Sequence, residues 1–377
     1  MSKKMRILIT GSQGFLGKNL LSRLKNLEDL QITTFNRDDN DLFLEDAIKN
    51  VEYIIHLAGE NRSENEYSFI QSNVLLTEKI CRLLSKHNLN TPVIFTSSTK
   101  AGDSSAYGKT KIAAENLISL HSKKSHSSAV IYRLPGVFGK WCKPNYNSVV
   151  ATFCHNIANC VPIKIHDEKT TLILVYIDDV VTEIIKSIFN PPKGLEYRTV
   201  TPEYNINLGD LASIIFEFNA KRLNLHIDSV GSGLNHALYS TFVSYLPNEL
   251  FTYAIATHKD IRGSFIEMIK NKECGQVSII TSKPGVTRGK HYHENKTEKF
   301  LVVKGDAKFR FEHILTKENY EIDVSSSRPT IVQTIPGWAH EIINTGPDEL
   351  IAIIWANEIF DKNYPDTYKY EIAPWEN

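Results

Sequence analysis

The sequence predicts an α/β fold, a doubly wound parallel sheet, followed by a smaller all-β domain. Over the first two-thirds of the chain, short apolar runs alternate with segments of helical periodicity, which is typical of a parallel sheet covered by helices on both faces. From about Phe251, short strand-like runs separated by turn residues replace that pattern. The 377 residues are enough for two ordinary domains, and we place them at 1–245 and 246–377.

The predicted elements can be given in chain order. In the first domain the strand-like runs are Ile7–Ile9, Gln31–Phe35, Tyr53–His56, Val93–Thr96 and Val130–Tyr132, and helical segments lie near 16–26, 67–87, 108–122, 148–159 and 208–223. Prolines and glycines make 190–209 a loop-rich region. In the second domain the strand-like runs are Gln276–Ile280, Lys299–Val303, Ala307–Phe311, Thr330–Ile335 and Leu350–Trp355, which predict a small barrel or sandwich.

The composition argues against several classes of function. Lys+Arg and Asp+Glu both total 43, so no bulk charge draws the chain to nucleic acid or to an anionic membrane. No apolar run reaches the length of a membrane span, and the N-terminus leads directly into the first strand without a signal peptide. The 5 cysteines show no CxxC spacing and predict free thiols in a reducing compartment. We therefore expect a cytoplasmic protein.

A glycine-rich turn joins the first strand to the first helix. Glycines stand at 11, 14 and 17, and Phe15 and Leu16 open the helical pattern. A strand, a glycine turn and a helix in this order point the free N–H groups of the helix at the pyrophosphate of a dinucleotide. Gly11 permits the tight turn, Gly14 lets the backbone approach the phosphates, and Gly17 lets the helix pack on the sheet. A turn with a purely structural role is the alternative.

The end of the second strand indicates which dinucleotide is used. Enzymes that prefer NAD usually place a carboxylate there to bind the adenosine ribose, whereas an arginine suits the extra phosphate of NADP. Arg37 occupies this position, and Asp38 follows it. We therefore expect NADPH as the cofactor.

Tyr107 and Lys111 form a candidate catalytic pair. They are four residues apart, which places them one turn apart on the same face of a helix. The positive charge of the lysine favours the phenolate, so we expect Lys111 to lower the pKa of Tyr107 and to make it a usable acid near neutral pH. Ser98, at the end of its strand, is placed to hydrogen-bond the same carbonyl oxygen. A solvated helix face is the alternative for the pair taken alone.

Together these motifs resemble the extended short-chain dehydrogenase/reductases, which have a Rossmann-type sheet. The matching segments are 10–17, 57–59, 73–74, Ser98, 107–111, 133–139 and 175–179. The family mostly acts on nucleotide sugars. The resemblance implies that NADPH delivers hydride to a ketone carbon, that Tyr107 protonates the oxygen and Ser98 steadies it, and that Lys111 holds the nicotinamide ribose.

The same resemblance implies further binding residues. Leu57, Ala58 and Gly59, after the third strand, would lie beside the cofactor together with the glycine turn. The residues expected to face the sugar nucleotide are Asn73, Arg133, Pro135, Tyr146, Asn147 and Ser148.

A second constellation lies in the all-β domain. It reads Gly285-x5-His291-Tyr-His293-x4-Glu298-x6-Gly305, and two histidines two apart on a strand point to the same face. With Glu298 from the adjoining strand and the later His340, the set offers three imidazoles and a carboxylate, which suit zinc, iron, manganese or nickel. A polar strand face is the alternative for the two neighbouring histidines alone.

This spacing resembles the first motif of the cupins, an all-β barrel family, and His340-x3-Asn344 resembles the second, with one residue fewer than usual between Pro336 and His340. Within the domain, 260–265 and 285–292 are similar to the dTDP-4-keto-sugar 3,5-epimerase branch of cupins. In that branch the histidine matching His291 is the general base. Here the same histidine begins a metal motif, so a ligand and a base are both open roles for it.

The combination of both domains resembles, nearly end to end, the CapF-type enzymes of capsular polysaccharide synthesis. The resemblance implies that the cupin epimerises C3 of a UDP-2-acetamido-2,6-dideoxy-4-hexulose and that the reductase converts its C4 ketone with NADPH. The product would be UDP-2-acetamido-2,6-dideoxy-L-talose, on the route to UDP-N-acetyl-L-fucosamine. The resemblance also implies a zinc ion in the cupin and a homodimer formed through the cupin domains.

Two other functions fit the same residues. One is an NADPH-dependent 4-ketoreductase whose cupin serves only dimerisation or sugar binding, and the intact His291-x-His293 pair and Glu298 argue against it. The other is a non-catalytic nucleotide sensor. Such sensors tend to have lost the catalytic tyrosine or lysine, and both Tyr107 and Lys111 are present here.

Overall fold

The structure is a computed structural model that describes residues 4–62, 65–294 and 296–373. It divides into two compact units, each described below by itself. The first unit comprises Met1–Phe216 and Gly233–Pro247, and the second comprises Glu217–Ser232 and Asn248–Asn377.

The first unit is built on a six-stranded parallel sheet and a smaller three-stranded sheet. Its described strands are β1 (Met5–Thr10), β2 (Leu30–Phe35), β3 (Tyr53–His56), β4 (Val93–Ser98), β5 (Ala129–Leu134), β6 (Gly136–Phe138), β7 (Thr171–Tyr176), β8 (Leu195–Arg198) and β9 (Tyr204–Asn207). The parallel sheet has the order β2-β1-β3-β4-β5-β8, and the small sheet the order β6-β7-β9. The predicted doubly wound sheet is therefore confirmed.

Helices connect these strands. They are α1 (Phe15–Leu24), α2 (Asp41–Asn50), α3 (Glu66–Phe69), α4 (Leu76–Lys86), α5 (Ala106–Ser125), α6 (Val149–Ala158), α7 (Ile177–Phe189), α8 (Leu208–Leu223) and α9 (Gly233–Val243). A π-helical turn at Ile70–Leu75 joins α3 to α4. Helices α2, α7 and α9 lie outside the predicted segments.

The order of the strands creates a switch point beside β1. This strand pairs in parallel with β2 on one side and with β3 on the other, so the chain extends the sheet first in one direction and then in the other. Leu8, Ile54, Phe95 and Ile131, from four adjacent strands, pack in one buried cluster. In open α/β sheets, ligands bind at the carboxyl ends of strands beside such a switch point.

The second unit contains two antiparallel sheets. Its described strands are β10 (His258–Asp260), β11 (Gly263–Asn271), β12 (Gly275–Ser282), β13 (Thr287–Tyr292), β14 (Glu298–Lys304), β15 (Asp306–His313), β16 (Asn319–Ser325), β17 (Ile331–Gln333), β18 (Trp338–Asn344), β19 (Leu350–Ala356) and β20 (Tyr368–Lys369). One sheet has the order β10-β11-β12-β19-β14-β17 and the other β16-β15-β18-β13-β20. Side chains from both sheets, such as Phe300 and Phe309, share one buried core, which confirms the predicted all-β fold.

One segment groups differently from the predicted division. Residues 217–232 fall within the predicted first domain, 1–245, but they belong to the second unit in the structure. The reason is a backbone pairing with the end of β11. The N–H of Lys270 donates to the carbonyl of Leu225 at 2.8 Å, and the N–H of Ile227 donates to the carbonyl of Lys270 at 2.9 Å.

Two expectations from composition can be compared with the fold. The five cysteines are free thiols. Among the described residues, no helix combines the length and the apolar character that a membrane crossing requires.

Candidate active site and metal centre

The glycine turn lies at the switch point. Gly11 has a φ of 70°, in the left-handed region that favours glycine, and a Cβ there would lie 2.6 Å from the Cα of Ala58. Gly14 is the N-cap residue of α1, and no described side chain caps this end, so the N–H groups are open to a phosphate. A Cβ on Gly17 would lie 2.3 Å from the carbonyl oxygen of Gly11. Gly17 therefore packs the helix against the turn itself, and not against the sheet as expected.

The other residues expected at the cofactor gather at the same edge. Phe15 and Leu16 open α1. Residues 57–59 directly follow β3, where the N–H of Leu57 donates to the carbonyl of Thr10 at 3.2 Å. The structure therefore brings the glycine turn and the segment after β3 together, as a bound dinucleotide would require.

Arg37 lies beside this turn. The side-chain oxygen of Asn36 accepts hydrogen bonds from Ser12 Oγ at 2.9 Å and from the N–H of Gln13 at 3.2 Å, which ties the end of β2 to the turn. The side chain of Arg37 is 82% exposed, and its Nη2 lies 3.5 Å from Glu60 Oε2. Such an exposed pair is weak, so the guanidinium is free to turn towards a phosphate.

Ser98, Tyr107 and Lys111 meet at the carboxyl end of β4. Ser98 is the last residue of β4, and its hydroxyl is hydrogen-bonded to Tyr107, near the start of α5. The Nζ of Lys111 lies 5.9 Å from the centre of the Tyr107 ring and donates to the carbonyl of Thr96 at 3.0 Å. The structure therefore assembles the predicted trio.

The pKa of Tyr107 differs from the sequence expectation. Burial raises it, and the hydrogen bond with Ser98 only partly opposes that shift. Burial also lowers the pKa of Lys111 to about 8, although the nearby Glu115 favours its charged form. The expected lowering of the Tyr107 pKa by Lys111 is thus not seen in this structure, where burial has the largest effect.

A hydrogen-bond network behind these residues was not expected from the sequence. His56, at the end of β3, is buried, with Thr10 Oγ1 at 2.7 Å from Nδ1 and Thr77 Oγ1 at 2.9 Å from Nε2. Thr77 gives its own proton to the carbonyl of Asn73 at 2.7 Å. It must therefore accept from Nε2–H, so Nδ1 accepts from Thr10. Thr10 Oγ1 in turn accepts the N–H of Ala58 at 3.2 Å.

Through Asn73 the network continues into α5, which carries Tyr107 and Lys111. Asn73 lies in the π-helical turn, a feature often found at functional sites. Its amide donates to the carbonyl of Glu60 at 3.0 Å and to Thr110 Oγ1 at 3.1 Å, and Thr110 donates to the carbonyl of Tyr107 at 2.8 Å. Asn73, expected to face the sugar nucleotide, therefore also supports the candidate catalytic residues through these contacts.

Arg133 is also held from within the unit. Its Nε and Nη2 donate to the fully buried carboxylate of Glu115 at 3.0 and 2.6 Å. Ser97 Oγ donates to the same carboxylate at 2.5 Å. In the structure Arg133 thus forms an ion pair with Glu115, which lies one helical turn beyond Lys111. The sequence spacing alone did not single out Glu115.

The remaining residues expected at the sugar nucleotide lie on the loops after β5 and β6. Pro135 is half-buried between β5 and β6, and Asn147 is exposed. The hydroxyl of Tyr146 donates to the carbonyl of Arg62 at 2.8 Å. Ser148 caps α6, since its Oγ accepts the N–H of Ala151 at 3.3 Å.

In the second unit, His291, His293, Glu298 and His340 form one cluster. Their candidate ligand atoms all lie within 4.8 Å of one another, a spacing suited to a single ion between them. His291 and His340 are paired across β13 and β18, next to a register shift at Gly289 that re-aims the strand. The shorter spacing between Pro336 and His340 therefore does not keep the fourth residue from the cluster.

The ring nitrogens of this cluster lack ordinary partners. His293 and His340 are buried, and His293 Nε2, His340 Nδ1 and His340 Nε2 have no hydrogen-bond partner in the described part of the chain. Glu298 Oε2 lies 3.4 Å from both Nε2 atoms. Buried polar atoms are normally satisfied, so these nitrogens fit a site that holds a cation.

The charge states of His291 and Glu298 fit the same conclusion. Burial, His340 and His293 lower the pKa of His291 to about 3, so this imidazole is neutral near pH 7. Burial raises the pKa of Glu298, but His293 and His340 outweigh that effect and leave it below its ordinary value. Neutral imidazoles and an ionised carboxylate are the forms that bind a divalent cation.

Comparison with known proteins identifies the family. Residues 7–206 match the NAD dependent epimerase/dehydratase family, and residues 258–368 match the Polysaccharide biosynthesis C-terminal domain. The first match covers more than half of the chain. The chain belongs to the NAD dependent epimerase/dehydratase family and carries a polysaccharide biosynthesis C-terminal domain.

Two relatives resemble the chain along nearly its whole length. The UDP-2-acetamido-2,6-beta-L-arabino-hexul-4-ose reductase of Pseudomonas aeruginosa is 44% identical over 98% of this chain and 99% of its own. The crystal structure of the capsular polysaccharide assembling protein CapF from Staphylococcus aureus matches with a TM-score of 0.90 and 39% identity, over 97% of this chain and 100% of that one. The CapF-type resemblance is therefore confirmed.

A more distant structure shares the fold of part of the chain. The UDP-glucuronic acid 4-epimerase from Bacillus cereus, solved in complex with NAD, matches with a TM-score of 0.55 and 17% identity, over 66% of this chain and 100% of that one.

Proposed function

We propose that this chain is a bifunctional nucleotide-sugar enzyme. The second unit epimerises C3 of a UDP-2-acetamido-2,6-dideoxy-4-hexulose, and the first unit reduces its C4 ketone with NADPH to UDP-2-acetamido-2,6-dideoxy-L-talose, on the route to UDP-N-acetyl-L-fucosamine for capsule or O-antigen polysaccharide. The coarser assignment, an NAD(P)-type oxidoreductase for a UDP-4-keto sugar in polysaccharide biosynthesis, follows from the family and its Pseudomonas relative. The finer one is carried by the buried histidine–glutamate cluster in the same chain as the Ser98–Tyr107 pair.

In the reductase step, NADPH supplies the hydride when it is bound. Tyr107 is placed to give its phenolic proton to the ketone oxygen as negative charge develops there, and Ser98 to hydrogen-bond the same oxygen. Lys111, with a pKa of about 8, is mostly protonated at pH 7, so its charge stabilises the phenolate that remains. The hydrogen-bond network through Asn73 holds the start of α5 in place for this transfer.

In the epimerase step, the cluster of the second unit is proposed to hold zinc. His293, Glu298 and His340 are the ligands, and His291 is either the fourth ligand or the base that removes the C3 proton. A divalent cation there supplies a Lewis-acid centre for the substrate ketone. The C4 ketone acidifies the C3 hydrogen, so epimerisation has to precede reduction. A neutral His291 suits either role, because both need a free lone pair.

The proposal also covers the residues that contact the sugar nucleotide and the oligomeric state. The residues proposed to face the sugar nucleotide are Asn73, Arg133, Pro135, Tyr146, Asn147 and Ser148. We also propose a homodimer through the second units. Strand β10 is an outer strand of its sheet, and Ile261 beside it is 86% exposed, as in surfaces that associate.

The test follows deuterium and ketone by NMR. The protein is incubated in D2O with the UDP-4-keto-6-deoxy-N-acetylhexosamine, first without NADPH and then with it. We expect deuterium to enter at C3 before the cofactor is added, and the ketone to disappear after it. His291→Ala should abolish the exchange, whereas His166→Ala, at an exposed histidine that the proposal does not use, should leave it unchanged.

Other outcomes separate the competing functions. Reduction without C3 exchange would make the chain a 4-ketoreductase whose cupin serves only dimerisation or sugar binding. If neither reaction occurred, the substrate assignment would be wrong.

A further inference from the structure

A segment more than 70 residues after His293 in the sequence contacts the candidate metal-binding cluster. The backbone carbonyl of Asp366 accepts a hydrogen bond from His293 Nδ1 at 2.6 Å. A carbonyl can only accept, so Nδ1 carries the proton and Nε2 keeps its lone pair. That Nε2 atom is one of the buried nitrogens without a hydrogen-bond partner in the described chain, and it faces Glu298. Asp366 thus selects the tautomer in which His293 can bind a metal ion.

The carboxylate of Asp366 acts on the neighbouring turn. Its Oδ1 accepts the N–H of Glu294 at 2.9 Å, and its Oδ2 accepts the N–H of Lys296 at 2.7 Å. These two residues lie between His293, just after β13, and Glu298, the first residue of β14. A single aspartate therefore fixes both the ring of one candidate ligand and the turn that leads to the next.

The segment around Asp366 is itself anchored. The buried Lys296 donates from Nζ to the carbonyl of Pro365 at 2.8 Å and to Thr367 Oγ1 at 3.0 Å. Strand β20, two residues beyond Asp366, pairs with β13 and places Lys369 opposite His291. Asp366 has a φ of 37°, which is uncommon for a residue other than glycine and persists only where surrounding contacts hold it.

We propose that Asp366 is a positioning residue for the metal centre of the second unit. Its carbonyl holds His293 as an Nε2 ligand, and its carboxylate holds the turn so that His293 and Glu298 converge on one ion. This inference rests on the proposed metal site. Outer-shell partners of metal-bound histidines typically change metal affinity by about 10–100-fold when they are lost.

The experiment measures zinc affinity by competition with a chelator, on the full-length protein. Asp366→Ala keeps the backbone carbonyl but removes the carboxylate that holds the turn and a residue type that tolerates a positive φ, so we expect zinc binding to weaken by about tenfold, the lower end of that range. Asp366→Asn keeps one acceptor oxygen and tolerates a positive φ, so we expect roughly half of that loss in free energy, about threefold. Asp361→Ala is the matched control, since this exposed aspartate accepts from the N–H of Asn363 in its own turn.

A second readout separates positioning from a general loss of stability. Melting of the zinc-free variants should stay close to that of the zinc-free parent, with the difference confined to the zinc-bound protein. If Asp366→Ala does not fold, Asp366→Asn decides the matter, and an affinity equal to that of the parent would overturn the inference. Equal affinity in both variants with a lower melting temperature in the zinc-free state would also overturn it, because it would show a purely structural role. A parent that binds no zinc would instead refute the proposed metal site.

Discussion

Both units bury histidines, but the ring nitrogens are hydrogen-bonded in the first unit and largely unbonded in the second. In the first unit, His56 has a threonine hydroxyl at each nitrogen, at 2.7 and 2.9 Å. In the second unit, both nitrogens of His340 and the Nε2 of His293 lack a hydrogen-bond partner among the described residues. A buried histidine with both nitrogens hydrogen-bonded stabilises the fold, whereas a cluster of buried histidines with unbonded nitrogens indicates a binding site for a cation.

The same contrast extends to the chemistry of the two sites. In the first unit the proposed acid, Tyr107, and its partner Ser98 are protein groups already hydrogen-bonded to each other. In the second unit the proposed Lewis acid is not part of the chain, and the protein supplies only its ligands. Loss of Tyr107 should therefore act on the first site directly, whereas loss of a ligand should act on the second site through its affinity for the metal ion.

The strongest test of this contrast is Tyr107→Phe. Removal of the phenolic hydroxyl takes away the proposed general acid, and such groups typically contribute 10²–10⁴-fold. We expect the rate of NADPH oxidation with the 4-keto substrate to fall by roughly that factor. Deuterium exchange at C3, which we propose to take place in the second unit, should be unchanged in the same preparation.

Tyr67→Phe is the matched control, since Tyr67 is an exposed tyrosine on α3. It should reduce the substrate at the parental rate. If Tyr107→Phe did so as well, the catalytic assignment would have to be given up, and the non-catalytic sensor would become the better interpretation.

The sequence predicts the parallel sheet better than the barrel, and the reason lies in burial. Strands covered on both faces read as continuous apolar runs, as in Ile7–Ile9 within β1. A barrel strand absent from the prediction is β18, which carries His340. The buried polar residues His340 and Glu341 interrupt the apolar pattern there, so a residue of the candidate site conceals the strand that carries it.

The candidate site residues divide along a similar line. Ser98, Tyr107, Lys111 and the histidine–glutamate cluster were accessible from the sequence because their spacing is local or matches a known motif. His56 and Asp366 were not, because their roles depend on partners distant in sequence, such as Thr10 and His293. A hydrogen bond across 73 residues leaves no local pattern.

A smaller effect is the pH dependence of stability that the fully hydrogen-bonded His56 should cause. Burial, with a contribution from Lys111, lowers the pKa of His56 to about 3 in the folded chain, against an ordinary value near 6.5. Between these values the unfolded state binds a proton that the folded state excludes. The stabilisation is therefore complete above about pH 6.5 and is lost as the pH falls towards 3, by about 1.4 kcal/mol per unit.

His56→Gln removes this titration. Between pH 7 and pH 5, we expect the first unit of the parent to lose about 2 kcal/mol more stability than the variant, roughly a 30-fold difference in the unfolding equilibrium. Hydrogen exchange of the β3 and β4 amides at the two pH values measures it. His166→Gln, at an exposed histidine, should behave as the parent does. An unchanged pH dependence in His56→Gln would show that His56 is not the group whose protonation destabilises the folded state.

The smallest expected effect concerns Arg37, which differs from the buried groups above because it is 82% exposed and only weakly paired with Glu60. We expect Arg37→Ala to raise the KM for NADPH about tenfold, with kcat and the KM for NADH unchanged, since one exposed charge-assisted contact is worth about 1–1.5 kcal/mol. Arg23→Ala, an exposed arginine on α1, is the control. If the preference for NADPH did not change, Arg37 would not bind the 2′-phosphate. If the parent preferred NADH, the carboxylate of Asp38 would be the group to test next, because a carboxylate at the end of β2 binds the ribose hydroxyls of NAD.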